Sequence, residues 1–263
     1  MTSVTIPDNV TTIESSVFAE CSSLSSVTFP SGLVSIGDQA FTDCVLLTDI
    51  NIPSGVTSIG AYAFYGCSSL TSVAIPNKVT TIASGAFAEC SSLSSVNIPD
   101  HVSVIGLGAF NGCSSLSNVI LPDGLTSIEK STFYGCSSLL SIDIPSSVTE
   151  IGENAFHDCS SLASVTFHPG LSQIGRYAFQ DCKSLTSITI PSGFSSMEPA
   201  AFYGCNSVTT VKIPNTVTNI GAACFYNLAS NSKIYVESQN VANLLSGKYT
   251  STKTEIIVDP TKF

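Results

Sequence analysis

Ten cysteines, three histidines and a set of turn-placed acids are the residues of this chain that could do chemistry. Nine of the cysteines (Cys21, Cys44, Cys67, Cys90, Cys113, Cys136, Cys159, Cys182 and Cys205) stand 23 residues apart. Zinc sites are usually built from close pairs such as Cys-x-x-Cys, and no such pair occurs. The spacing instead delivers one sulfur per coil of a repeat, where a small thiol packs as core. Disulfides and a metal stay open as alternatives. Cys224 lies off the column, just before Phe225, and reads as one more small core residue. Of the histidines His101, His157 and His168, only His157 has a suggestive neighbour, Asp158. A nucleophilic triad would also need a serine with an oxyanion site, and no Gly-x-Ser-x-Gly elbow exists. His157 therefore reads as an exposed loop histidine, and no catalytic residue is assigned. Acids precede the cysteine at Glu20, Asp43, Glu89, Asp158 and Asp181. Glu20 with Asp43, and Asp158 with Asp181, should sit one coil apart, about 5 Å. Ca²⁺ or Lys183 could offset that repulsion, but solvated acids suffice, and no metal or cofactor is assigned.

The elements that position these residues follow from the same period. Phenylalanine recurs at Phe18, Phe41, Phe64, Phe87, Phe110, Phe133, Phe156, Phe179, Phe202 and Phe225, and proline keeps nearly the same beat from Pro7 to Pro214. A fixed period of this length marks a stacked repeat. Within a coil, Leu70-Thr71-Ser72-Val73-Ala74-Ile75-Pro76 reads as a strand with Val73 and Ile75 inward and Ser72 and Ala74 outward. Proline ends the strand, since it lacks a backbone donor. A turn and a second short extended segment follow, Val56-Thr57-Ser58-Ile59, and Gly60 is expected to let the chain bend. Ala63-Phe64 then plugs the far side of the coil. The expected fold is a β-rich solenoid of about ten 23-residue coils over residues 1–230. Ten to eleven strands spaced at about 4.8 Å would give an array of roughly 50 Å. Residues 231–263 read as a C-terminal α/β cap, with Asn240–Leu245 helical and Thr254–Val258 a strand. The first coil shows no comparable cap, which offers an edge for self-association.

Composition narrows the partners. Acids outnumber bases 19 to 9, for a formal charge of −10, and no basic run exists, which argues against nucleic acid. No apolar run reaches membrane-spanning length, so no insertion is expected. The N-terminus enters the first repeat at once, and no leader is read there. One glycosylation sequon occurs, Asn9-Val10-Thr11.

The outward strand positions form two small polar columns, and these are the candidate binding surface: Ser26, Thr28, Asp49, Asn51, Ser72, Ser95, Asn97, Asn118, Asp143, Ser164, Thr166 and Thr189. Solenoids commonly bind through such a wall. With few aromatic or arginine anchors on it, affinity would come from area or multivalency. Tyr65, Tyr134 and Tyr203 each follow the phenylalanine in a Phe-Tyr-Gly-Cys run and are candidate aromatic anchors.

The pattern Ile-Pro-x-x-Val-Thr-x-Ile-Gly-x-x-Ala-Phe-x-x-Cys-Ser-Ser-Leu, clear at residues 52–70 and 98–116, resembles the BspA type of leucine-rich repeat. The resemblance covers residues 1 to about 236 and implies a right-handed leucine-rich-repeat superhelix. It also implies a surface protein of oral or gut bacteria or of parasitic protists. Known members bind host cells and matrix proteins such as fibronectin and fibrinogen, and the family offers no catalytic residues to carry over. A non-enzymatic adhesion module, at the cell surface or secreted, with a host or matrix protein as ligand, is the resulting expectation. An intracellular scaffold is the alternative, because the cytosol keeps thiols reduced.

Overall fold

The computed structural model describes residues 1–246 and 254–263. They form two compact units, residues 1–125 with 131–139 and residues 126–130 with 140–263. Each is a parallel β-solenoid, in which a residue pairs with the one 23 positions on. In the first unit Ser3, Val4 and Thr5 pair with Ser26, Val27 and Thr28. In the second, Ser141, Ile142 and Asp143 pair with Ser164, Val165 and Thr166. A second ladder runs through the short segments, for example Ile13 to Ile36 to Ile59, and Ile151 to Ile174 to Met197.

The interior of each coil is closed by phenylalanine. In the first unit the rings of Phe18, Phe41, Phe64, Phe87, Phe110 and Phe133 stack with centroids 5.1–5.8 Å apart. In the second, Phe156, Phe179, Phe202 and Phe225 stack at 5.1–5.8 Å. Phe29 and Phe167 meet Phe41 and Phe179 edge-on, each at 5.7 Å. Such pairs add roughly 0.5–1.5 kcal/mol beyond area burial.

The turns around each phenylalanine repeat a backbone device. The residue two before it and the residue two after it have positive φ in every coil, as at Tyr62 (φ 56) and Gly66 (φ 70) around Phe64. These left-handed positions turn alternate N–H groups toward the next coil. Tyr62, Phe64 and Gly66 donate to the carbonyls of Ser84, Ala86 and Ala88 at 2.8–2.9 Å. Satisfying those donors offsets a strain of about 1–2 kcal/mol at each non-glycine residue. The position two after phenylalanine is Gly, Asn, Asp or Glu in all ten coils. The acids before cysteine thus occupy a slot that glycine otherwise fills. Gly, Asn and Asp are the residues that visit left-handed backbone most readily.

Two expectations change. The glycine after the inner isoleucine does not serve a bend. Gly60 has no left-handed φ, and a Cβ there would lie 2.5 Å from the Asp38 backbone nitrogen. Glycine is used because the preceding coil's backbone passes too close for a side chain. The outer strand also fails to form at residues 49–51 and 118–120, which join their neighbours through single bridges, Ser26 to Asp49 and Ser95 to Asn118. These are the two coils whose first outward residue is Asp or Asn instead of Ser or Thr. Both residue types are depleted in strands, because their short polar side chains compete for the backbone.

At the C-terminus a strand Lys233–Val236 pairs with Thr210–Ile213 and with Glu255–Val258, and a helix spans Gln239–Leu245. Val241, Ala242 and Leu245 are the buried face of that helix.

Candidate functional site

The cysteine column is interior and chemically quiet. All ten cysteines are free, and all but Cys21 are buried. Each buried thiol in the regular coils where the bond is described donates to the carbonyl of the preceding coil's phenylalanine. Cys67 Sγ reaches Phe41 O at 3.2 Å, and Cys205 Sγ reaches Phe179 O at 3.1 Å. Cys224 donates to Glu198 O at 2.9 Å instead. Burial, reinforced by the neighbouring Cys21 and Asp43, pushes the Cys44 thiol up to about 11. Burial chiefly, with a smaller contribution from the Glu198 charge, raises Cys224 to about 12, against several backbone hydrogen bonds that lower it. Desolvation likewise raises Cys67, Cys90, Cys113, Cys182 and Cys205 well above the ordinary thiol range. A thiol nucleophile needs the opposite shift.

Serine and threonine divide into two populations. Along the coil edges their hydroxyls donate to the carbonyl 23 residues earlier: Ser91 to Ser68 O, Ser114 to Ser91 O, Ser172 to Thr149 O and Ser195 to Ser172 O, at 2.9–3.4 Å. These tie coil to coil. On the outer wall the sequence-derived residues Ser26, Thr28, Asp49, Asn51, Ser72, Ser95, Asn97, Asn118, Asp143, Ser164, Thr166 and Thr189 are all exposed. Among the described residues, the hydroxyls of Ser26, Thr28, Ser72, Ser95, Ser164, Thr166 and Thr189 make no hydrogen bond within the chain. They stay available to a partner.

The wall is not flat. Ala74 is the shortest side chain of its column, and a depression of about 640 Å³ opens there, lined by Asn51, Pro53, Ala74, Pro76 and Asn97. A second hollow of about 230 Å³ is lined by Asn97, Asp100, Asn118 and Ile120. Ile120 is 76% exposed, an apolar side chain standing out from a polar wall. In the second unit His168 Nε2 lies 2.8 Å from Asp143 Oδ1, so the wall there carries a histidine–carboxylate pair. The sequence reading missed this pair. The slipped proline at Pro169, which places His168 at the end of its strand, is the signal that could have found it.

The candidate anchors Tyr65, Tyr134 and Tyr203 are half-buried instead of standing free, whereas Tyr226 after Phe225 is exposed. Tyr65 meets Tyr62 edge-on at 6.1 Å, and Tyr203 stacks on Tyr226 at 5.6 Å. Tyr134 is half-buried as well. Tyr62 is more exposed than Tyr65, 44% accessible, and lines a hollow of about 330 Å³ with Gln39, Thr42 and Tyr65. No helix among the described residues is long and apolar enough to cross a membrane.

The sequence pattern of the BspA type leucine rich repeat region matches in six copies, across residues 1–116, 80–208 and 172–261. Among solved structures, a leucine rich cell surface protein from Faecalibacterium prausnitzii is 30% identical, with 100% of this chain and 80% of that one covered and a TM-score of 0.50. The pneumococcal vaccine antigen PcpA is 23% identical over 98% of this chain and 79% of its own, with a TM-score of 0.63. A leucine-rich repeat protein from Bacteroides ovatus is 25% identical over 98% and 84%, with a TM-score of 0.48. No curated protein matches the chain.

Proposed function

We propose that this chain, which belongs to the BspA type leucine-rich repeat family, is a non-enzymatic adhesion module at a cell surface that binds host-cell or extracellular-matrix proteins. The single observation that carries the reading is the split in hydroxyl use. Edge serines are spent on holding coils together, whereas the exposed wall keeps Ser26, Thr28, Ser72, Ser95, Ser164, Thr166 and Thr189 uncommitted. Around them Asn51, Asn97 and Asn118 add carboxamides, and Asp49 and Asp143 add charge. Such a wall gives many weak contacts, so affinity grows with the area engaged. The tyrosine pair Tyr62–Tyr65 and the rings of Tyr134 and Tyr203 supply aromatic contacts on the other side of the coil. Residues 1–230 would form the binding array and 231–263 its cap. Surface placement draws support from the Faecalibacterium relative, itself described as a cell surface protein. Self-association through the first coil is a further part of this reading, since the strand Ser3–Thr5 has a ladder partner on one side, at Ser26–Thr28.

Plate binding to host cells, fibronectin and fibrinogen tests the proposal. Saturable binding that weakens when Asn51 and Asn97 are both changed to Ala supports it. Binding no greater than that of an unrelated solenoid of equal charge overturns it. A second reading, an intracellular scaffold, is favoured by one observation: all ten cysteines are free. Surface labelling of intact cells that express the natural full-length protein separates the two.

A further inference from the structure

In the second unit, the turn after Phe156 brings a histidine and two carboxylates together. His157, Asp158 and Asp181 each present one ligand atom within 4.8 Å of the other two. Sequence alone treats His157 as an isolated loop residue and the two acids as a solvated pair. The structure joins them because Asp158 and Asp181 hold the same left-handed slot in consecutive coils (φ 58 and 56).

Acids fill that slot in consecutive coils at two places, Glu20 with Asp43 and Asp158 with Asp181, and among the described residues the second pair is the one with a histidine beside it. Where the coil after an acid has glycine, the carboxylate lies over it: Asp43 over Gly66, Glu89 over Gly112 and Asp181 over Gly204. Asp158 is instead followed by Asp181. Lys183 could have neutralised the pair, but no ion pair to it forms among the described residues. Arg176 of the neighbouring turn is held over the Tyr177 ring at 5.5 Å.

The histidine is set up from outside the cluster. Its Nδ1 lies 3.1 Å from Asn154 Oδ1, an oxygen that only accepts. Nδ1 therefore donates to Asn154, and Nε2 faces Asp158 Oδ2 at 3.5 Å. A proton on Nε2, or a metal ion in its place, would attract that carboxylate. Metal-bound histidines have this arrangement, with the distal ring N–H donated to an oxygen. Asp181 is oriented as well, since Gln180 Nε2 donates to its Oδ2 at 3.2 Å.

We propose that His157 Nε2, Asp158 and Asp181 form a binding site for a first-row divalent cation of the Zn²⁺ type, with water completing the coordination. One imidazole and two carboxylates suit such an ion, whereas Ca²⁺ takes six to eight oxygens. Bonds of about 2.0–2.2 Å place ligand atoms roughly 3–4 Å apart, within a small rotation of these half-buried side chains. The bound ion would clip two successive coils and replace their charge repulsion with a shared partner.

The test uses the three histidines as each other's controls. Protein labelled at histidine is titrated with Zn²⁺ and the ring signals are followed by NMR. The expected result is a saturable shift of His157, with His101 and His168 unmoved. Asp181→Asn and Asp158→Asn keep a residue that tolerates left-handed backbone, and each should weaken the His157 response at least tenfold. A His157 signal unmoved by millimolar Zn²⁺ overturns the site. So does wild-type affinity in both variants, or an equal response at His168 beside Asp143. Zinc taken up by a cysteine such as the half-buried Cys21 leaves His157 unmoved and so counts against the proposal.

Discussion

The phenylalanine side of each coil and the outer strand wall are built from the same 23-residue unit, yet they vary in opposite ways. On the inner side Phe, Cys and the neighbouring small residue hardly change, because each ring stacks on the ring before it and each thiol has a fixed carbonyl to reach. On the wall the same strand positions hold Ser, Thr, Asn, Asp, Ala, Ile or Lys. Nothing in the packing selects among them. Periodicity therefore reports what the fold requires, and loss of periodicity marks where packing places little demand on the side chain.

Alkaline titration should strain this contrast most. Cys44 stays protonated to about 11 and Cys224 to about 12, whereas thiols of the unfolded chain ionise near 9. Below pH 9 both states are protonated and stability is complete. As pH rises from 9 toward 11–12 the unfolded chain gives up protons that the folded chain keeps, so stability falls by about 1.4 kcal/mol per pH unit for each such thiol. Urea midpoints at pH 7, 9 and 10 measure the fall, which should shrink in Cys67→Ala. An equal slope in that variant would show that the thiol column is not its source.

Phe110 stacks between Phe87 and Phe133, and Phe110→Ala should cost about 3–5 kcal/mol. Thr28→Ala on the wall should stay within about 0.5 kcal/mol. Urea denaturation of the two variants compares the regions directly, and similar losses would erase the distinction. A smaller effect is expected at Gly175, where a Cβ would come 2.8 Å from the Glu153 backbone nitrogen. Gly175→Ala should cost about 1–3 kcal/mol, as overpacking does. No loss in its melting curve would mean that the coils can part there at little cost. The smallest change is expected from Asp49→Ser. It should extend the outer ladder through residues 49–51, read as slower hydrogen exchange, for a few tenths of a kcal/mol.

Much of the fold was legible because a buried side chain in a stacked array must recur at the repeat length. The inward Val73, the plugging Phe64 and the Cys67 column are sequence facts first. The glycine after isoleucine was misread because closeness between coils leaves no local trace: Gly60 looks the same whether it bends or makes room. The missing strands at Asp49 and Asn118 were present in the sequence as two Asx residues in a Ser/Thr column. Their effect on pairing appears only once neighbouring coils compete for the same backbone groups.

The candidate surface divides along the same line. Alternation along a strand fixes which residues face outward, so Ser26, Thr28, Asn51 and Asn97 could be placed from the sequence. Stacking decided the rest. It opened the depression at Ala74, brought His168 to Asp143, half-buried Tyr65 against Tyr62, and gathered His157, Asp158 and Asp181 from two coils into one cluster. Local periodicity sets the direction of a side chain. Its neighbours 23 residues away are set by the register between coils, and that register exists only in the assembled solenoid.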